Sequence, residues 1–109
     1  MPYDPGLAAR LDSLLSSRPG YQQKKMFGGI GFMINGNVAC GVIGKEMMVR
    51  VGPAGHAQAL ATPHARPFDM TGRPAKGWIM VGLEGIDADA DLERHVQLAE
   101  KFVETLPRK

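Results

Sequence analysis

The sequence predicts an α+β domain, a two-layer antiparallel sheet with packed helices in the order α-β-β-β-α-β-β-α. Three observations carry this expectation. Leucines near the start recur at helical spacing, and a second helical period closes the chain. Between them, short apolar runs are separated by Asn-Gly and Gly-Lys turns. The chain has 109 residues, 44% of them apolar and 22% charged, which suits one globular domain over residues 1–109 rather than a disordered segment.

Leu7, Leu11, Leu14 and Leu15 fall on one side of a helix, with Arg10, Asp12, Ser13 and Ser17 on the other. Pro5 suits the first turn and Arg18-Pro19-Gly20 a stop, so a helix is expected from about 5 to 17. From Met26 the chain turns apolar through Ile34, and Asn35-Gly36 leads into a second run from Val38 to Ile43. Asn-Gly between apolar runs is a strong hairpin signal, because both central positions accept positive φ. Gly44-Lys45 turns the chain again into Glu46–Val51, completing a three-strand meander.

Pro53 opens a short helix through Leu60, with Gly52 as a permissive first residue. Pro63, Pro67 and Gly72 punctuate an irregular stretch with a brief strand around Phe68–Met70, and Trp78–Leu83 is the last strand. Leu92, Val96, Ala99, Phe102, Val103 and Leu106 mark the final helix, which Pro107 ends. Asp87, Asp89 and Asp91 crowd its start, where acidic groups cap exposed N–H groups and complement the helix dipole. His95, beside Val96, is expected to be partly exposed. Strand alternation implies that Met47 and Met48 point to opposite faces, leaving one of them exposed.

The net charge of +2 does not by itself point to nucleic acid or membrane. Its distribution is uneven. Residues 18–76 hold eight basic residues against Glu46 and Asp69, whereas residues 84–104 hold seven acidic residues against Arg94 and Lys101. A single cysteine excludes an intrachain disulfide, and three scattered histidines argue against a structural zinc site. No apolar run reaches the ~18 residues of a membrane span and the N-terminus lacks signal-peptide character, so a cytoplasmic location without membrane contact is expected.

Lys24-Lys25-Met26-Phe27-Gly28-Gly29 is the richest local motif. Clustered glycines let a backbone approach a ligand, and adjacent lysines attract anions. A phosphate cradle, however, runs into a helix, whereas these glycines run into a strand and no Gly-Lys-Ser/Thr follows. A bend entering the first strand is the favoured reading. Arg50, on the face opposite Val49, is either a solvated strand-face arginine or part of one anion-attracting surface with Lys24, Lys25, Arg73 and Lys76. Cys40 sits in an apolar run, as a buried and inert thiol would. No nucleophile, base and orienter assemble from the remaining residues, so no enzyme and no cofactor are expected.

Lys25-Met26-Phe27-Gly28-Gly29, Gly31-Phe32-Met33, Asn35-Gly36-Asn37, Met48-Val49-Arg50-Val51-Gly52, Arg66-Pro67-Phe68, Gly72-Arg73-Pro74, Lys76-Gly77-Trp78 and Leu106-Pro107 together resemble the TfoX/Sxy family. The likeness is to its N-terminal domain and spans about residues 5–107. The resemblance implies a secretion-chaperone-like α+β fold and a regulatory role, since founding members regulate natural competence through transcription of DNA-uptake genes. Those regulators carry a further C-terminal helical domain, which is not expected in this sequence; competence regulation is the most specific role that the resemblance implies. The family implies no catalytic residues. The leading expectation is a non-enzymatic interaction or regulatory module with an unidentified protein partner, forming a homodimer. The alternative is nucleic-acid or anion binding through the basic 18–76 segment. A weaker one is a small-molecule or enzymatic role near Phe27 and Arg50.

Overall fold

A computed structural model describes residues 3–26, 28–68 and 76–107. Helix α1 (Pro5–Leu15) begins at Asp4, whose carboxylate accepts hydrogen bonds from the N–H groups of Gly6 (2.8 Å) and Leu7 (3.1 Å). That side-chain cap satisfies donors which the first helical turn leaves unpaired. Leu7, Leu11 and Leu15 are buried and Leu14 is partly so, as their spacing predicts. The helix ends two residues earlier than expected, with Ser16 as its C-cap.

Six strands follow in one sheet: β1 (Gln22–Met26), β2 (Gly29–Ile34), β3 (Asn37–Ile43), β4 (Glu46–Arg50), β5 (Ala65–Pro67) and β6 (Trp78–Gly82). Their spatial order is β1-β2-β3-β4-β6-β5, and every neighbouring pair is antiparallel. Helix α2 (Gly52–Leu60) separates β4 from β5, and α3 (Asp89–Val103) closes the chain after a 3-10 turn at Leu83–Gly85. The α+β class and the helix positions match the expectation, but the sheet has six strands rather than five. The additional strand is β1, whose Gln-Gln-Lys-Lys-Met sequence carries no apolar alternation. An edge strand exposed along most of its length needs none. The strand expected around Phe68–Met70 forms instead at Ala65–Pro67, and residues 69 and 70 lie outside the described set.

One face of the sheet holds the main core. Ile30, Phe32, Val42, Met47, Val49, Ile79 and Val81 pack against Leu7, Leu11 and Leu15 of α1, Ala59 of α2, and Leu92, Val96, Ala99 and Val103 of α3. The opposite face carries a separate cluster of Met48, Phe68 and Met80, bordered by Met26, Val38, Ile43 and Trp78. Among the described residues no helical side chain joins it. This second cluster corrects the expectation for Met47 and Met48. They do point to opposite faces, yet both are 0% exposed, because each face has its own cover.

His95 also departs from expectation. It is 1% exposed, since it lies three residues from Leu92 and four from Ala99 on the inner side of α3. The N-cap of α3 is Ala88, with no side-chain cap bond, so Asp89 and Asp91 in the first turn act through the helix dipole and not as caps. The helix stops at Val103, short of Pro107. The Pro107 carbonyl accepts a hydrogen bond from the buried Asn37 side chain at 3.0 Å, tying the end of the chain to the β2–β3 hairpin.

Candidate interaction surface

Within the Lys24–Gly29 motif, Lys24, Lys25 and Met26 close strand β1 and Gly29 opens strand β2, so the described residues lead into a strand and not into a helix. Met26 pairs with Gly29, and Gly28 between the two strands adopts φ +76°, a left-handed conformation that glycine tolerates. A side chain on Gly29 would collide with the Val42 carbonyl oxygen, so this glycine permits close backbone approach between β2 and β3. Lys24 pairs with Gly31, whereas Lys25 pairs with Ile30 of the main core. The two lysines therefore project to opposite faces of the sheet. Phe27 and Arg73 lie outside the described residues, and Lys76 is exposed in the turn before β6.

On the helix-free face, cross-strand pairing runs Lys24–Gly31–Gly41–Met48–Met80–Arg66. The paired glycines leave a shallow strip that methionines fill. A Cβ on Gly31 would stand 2.6 Å from the Met26 sulfur, and one on Gly41 would stand 2.5 Å from the Ile30 carbonyl oxygen and 3.0 Å from the Met48 methyl. Unbranched thioethers fill such irregular gaps because their torsions adapt. Most side chains bordering this strip are only partly buried.

Arg50 shares this face with its pairing partner Trp78, at the end of β4. Its guanidinium lies 5.2 Å from the Trp78 ring centre and 5.3 Å from that of Phe102 on α3, so the cation sits between two aromatic rings. It also donates a long bond of 3.4 Å to the Val38 carbonyl. Burial lowers its pKa from the ordinary value, and among the described residues it forms no ion pair. Phe102 reaches this position because its ring packs over Gly52, at φ +81°, where any side chain would intrude. Sequence reading identified Arg50 but not Phe102 as its neighbour, because 52 positions of chain and a helix separate them.

The basic middle segment is dispersed across the surface. Arg18 pairs with Glu100 at 3.1 Å, and Arg66 grips Glu46 with two bonds of 2.7 and 2.6 Å. Arg10 likewise meets Asp89 of the acidic helix at 3.1 Å. Lys24 and Arg50 do share a face, three strands apart and one row out of line. A single patch containing Lys24, Lys25 and Arg50 is therefore not assembled.

Cys40 is fully buried beside Phe32, and its thiol is pushed up to about 12, chiefly by burial and secondarily by the Glu100 charge. A thiol so shifted is a poor nucleophile. Among the described residues, no three His, Cys, Asp or Glu side chains come together as metal ligands, and no helix is long and apolar enough to cross a membrane. His56 accepts a hydrogen bond at Nδ1 from the Gly77 N–H (2.9 Å), which fixes the turn before β6 on α2. Two adjoining clefts of about 230 and 210 Å³ lie between α1 and α3, on the other side of the sheet from the methionine strip.

No curated protein matches the chain. The model of the TfoX N-terminal domain matches residues 13–103, a span that contains the Lys24–Gly29 motif, the glycine strip, Arg50 and Trp78. With nearly its whole length covered, this chain belongs to the TfoX N-terminal domain family.

Proposed function

We propose that the domain is a non-enzymatic regulatory module that works through protein contacts, including contact with a second copy of itself. One observation carries this reading. All three helices pack on one side of the sheet, leaving on the other side a methionine- and aromatic-bordered strip that continues to the exposed strand β1. Adaptable thioethers and aromatic rings beside an open strand edge are the chemistry of a binding surface. The regulatory part of the reading follows from family membership, and competence control is its most specific form.

Affinity capture from native cell lysate, with and without nuclease treatment, tests the choice of partner class. Specific protein partners that persist after nuclease, and are lost when Met26 and Val38 at the border of the strip are replaced by Glu, are expected. Partners that vanish with nuclease would transfer the assignment to nucleic acid. In that case, affinity for unrelated duplexes should fall steeply with salt as counterions are released.

A further inference from the structure

Strand β1 is one of the two outer strands of the sheet and, among the described residues, pairs only with β2. The Asn35 N–H donates to the Gly20 carbonyl at 3.3 Å, and this opposed pair continues the β1–β2 register by steps of two to Gln22, Lys24 and Met26, making theirs the hydrogen-bonded pairs. Hydrogen-bonded and non-bonded pairs then alternate, so Gln22 and Lys24 direct their backbone groups toward β2. Gln23 and Lys25 direct theirs to the open edge. The Tyr21 N–H is taken by the Arg18 carbonyl at 3.2 Å, which leaves the Tyr21 carbonyl for the same edge.

Side chains beside this edge are unevenly matched. Gln23 donates to Asp12 Oδ1 at 3.0 Å, and the Tyr21 hydroxyl donates to that same oxygen. Asp12 thus has two neutral donors on one oxygen, and no cation reaches it among the described residues. Lys25 is exposed on the same helix-bearing side of the sheet and, among the described residues, meets no carboxylate. An anion lacking a cation and a cation lacking an anion stand along one open strand.

We propose that a second copy of this chain joins β1 to β1 in antiparallel fashion, about a two-fold axis at Gln23. In that register Gln23 exchanges backbone bonds with the partner's Gln23, and the Lys25 N–H donates to the carbonyl of the partner's Tyr21. Each Lys25 side chain then reaches the partner's Asp12 from across a pair whose Cα atoms stand about 5.5 Å apart. The axis is perpendicular to the sheet, so both α1 helices lie on the same side of the joined sheets. Centring on Lys24 or Lys25 instead would set identical charges directly opposite, which destabilises strand pairing. This proposal rests on the self-association part of the reading above and locates it.

Sedimentation equilibrium of the full chain, from about 1 to about 200 μM at low salt, supplies the test because exposed ion pairs weaken with screening. Lys25→Glu is expected to weaken the dimer about tenfold or more by opposing Asp12, whereas Lys24→Glu, on the other face, leaves it within about twofold. Gln23→Pro removes an outward N–H without disturbing the β1–β2 ladder and should also weaken it. The charge exchange Asp12→Lys with Lys25→Glu should recover most of the Lys25→Glu loss. Circular dichroism of each variant separates dissociation from unfolding. A dimer indifferent to both Lys25→Glu and Gln23→Pro, or equally sensitive to Lys24→Glu, would overturn the β1 pairing while leaving self-association intact. A monomer throughout the range overturns both, and an unrelated acidic strand bound at Lys25 would assign the edge to a different partner.

Discussion

The two faces of the sheet are built from different chemistry. The helix-bearing face is a continuous cluster of Phe32, Val42, Val49, Ile79 and Val81 against leucines and valines of three helices. These side chains have few rotamers and interdigitate, so the face has one low-energy arrangement. The other face relies on Met48, Met80 and Phe68 beside paired glycines, with Met26 and Trp78 at the border. Thioethers on a nearly bare backbone can repack with small expense in energy. One face specifies the fold, and the other retains adaptability.

Truncations measure that contrast directly. Phe32→Ala should destabilise the domain by about 4 kcal/mol, since it empties a site at the centre of the main core. Met80→Ala is expected to lose only about 2 kcal/mol, because flexible neighbours collapse into the space. Urea denaturation of both variants is the measurement. Equal losses would mean that the methionine face is packed as rigidly as the helical one.

The glycines sharpen the comparison further. Gly29→Ala forces a methyl group against the Val42 carbonyl, which belongs to the backbone and has little room to move. A loss of about 3 kcal/mol is expected from such overpacking. Gly31→Ala meets the Met26 sulfur at 2.6 Å, the far part of a flexible side chain, so it should lose only about 1 kcal/mol. Two neighbouring glycines in one strand thus differ through what opposes them. Thermal melts of the paired variants would show a much larger shift for Gly29→Ala; a reversed order would mean that β2 and β3 can separate locally.

A smaller effect belongs to pH. Burial holds the His95 pKa below its ordinary value, with Arg94 lowering it further and Asp91 opposing. The unfolded chain therefore binds a proton that the folded chain refuses, and stability falls as pH drops below about 6.5. Tyr21 gives the opposite limb. Its pKa is raised to about 12 by burial and by its bond to Asp12, so folding keeps a proton that the unfolded chain releases. Stability should decline as pH rises from about 10 toward 12. Denaturation midpoints at pH 5 and pH 7.5 check the acid limb, and His95→Leu should flatten it.

The helical and apolar elements were legible in sequence because their burial imposes a period. Leu7, Leu11 and Leu15 follow it, and Asn35-Gly36 marks the β2–β3 turn with φ values of 54° and 82°. Strand β1 was not legible, since four of its five residues are exposed and Gln-Gln-Lys-Lys-Met satisfies no apolar pattern. Its strand character comes from pairing with β2. The burial of both Met47 and Met48 was hidden for a related reason: Phe68 and Trp78, which enclose Met48, arrive from later in the chain. At the candidate site, the motif residues were visible, but adjacency in sequence misled. Lys24 and Lys25 are neighbours on the chain and occupy opposite faces of the sheet.

Trp78, the single tryptophan, has the Arg50 guanidinium over its ring, and that same guanidinium touches Phe102 on α3. The native protein consequently carries one indole, selectively excited at the red edge of protein absorption, that senses both sides of the sheet. A partner lifting the aromatic border of the methionine strip, or a shift of α3 that withdraws Phe102, would alter the polarity and charge around a single indole. Emission from the unlabelled chain can therefore report events on either face, and Arg50→Met would uncouple the two signals.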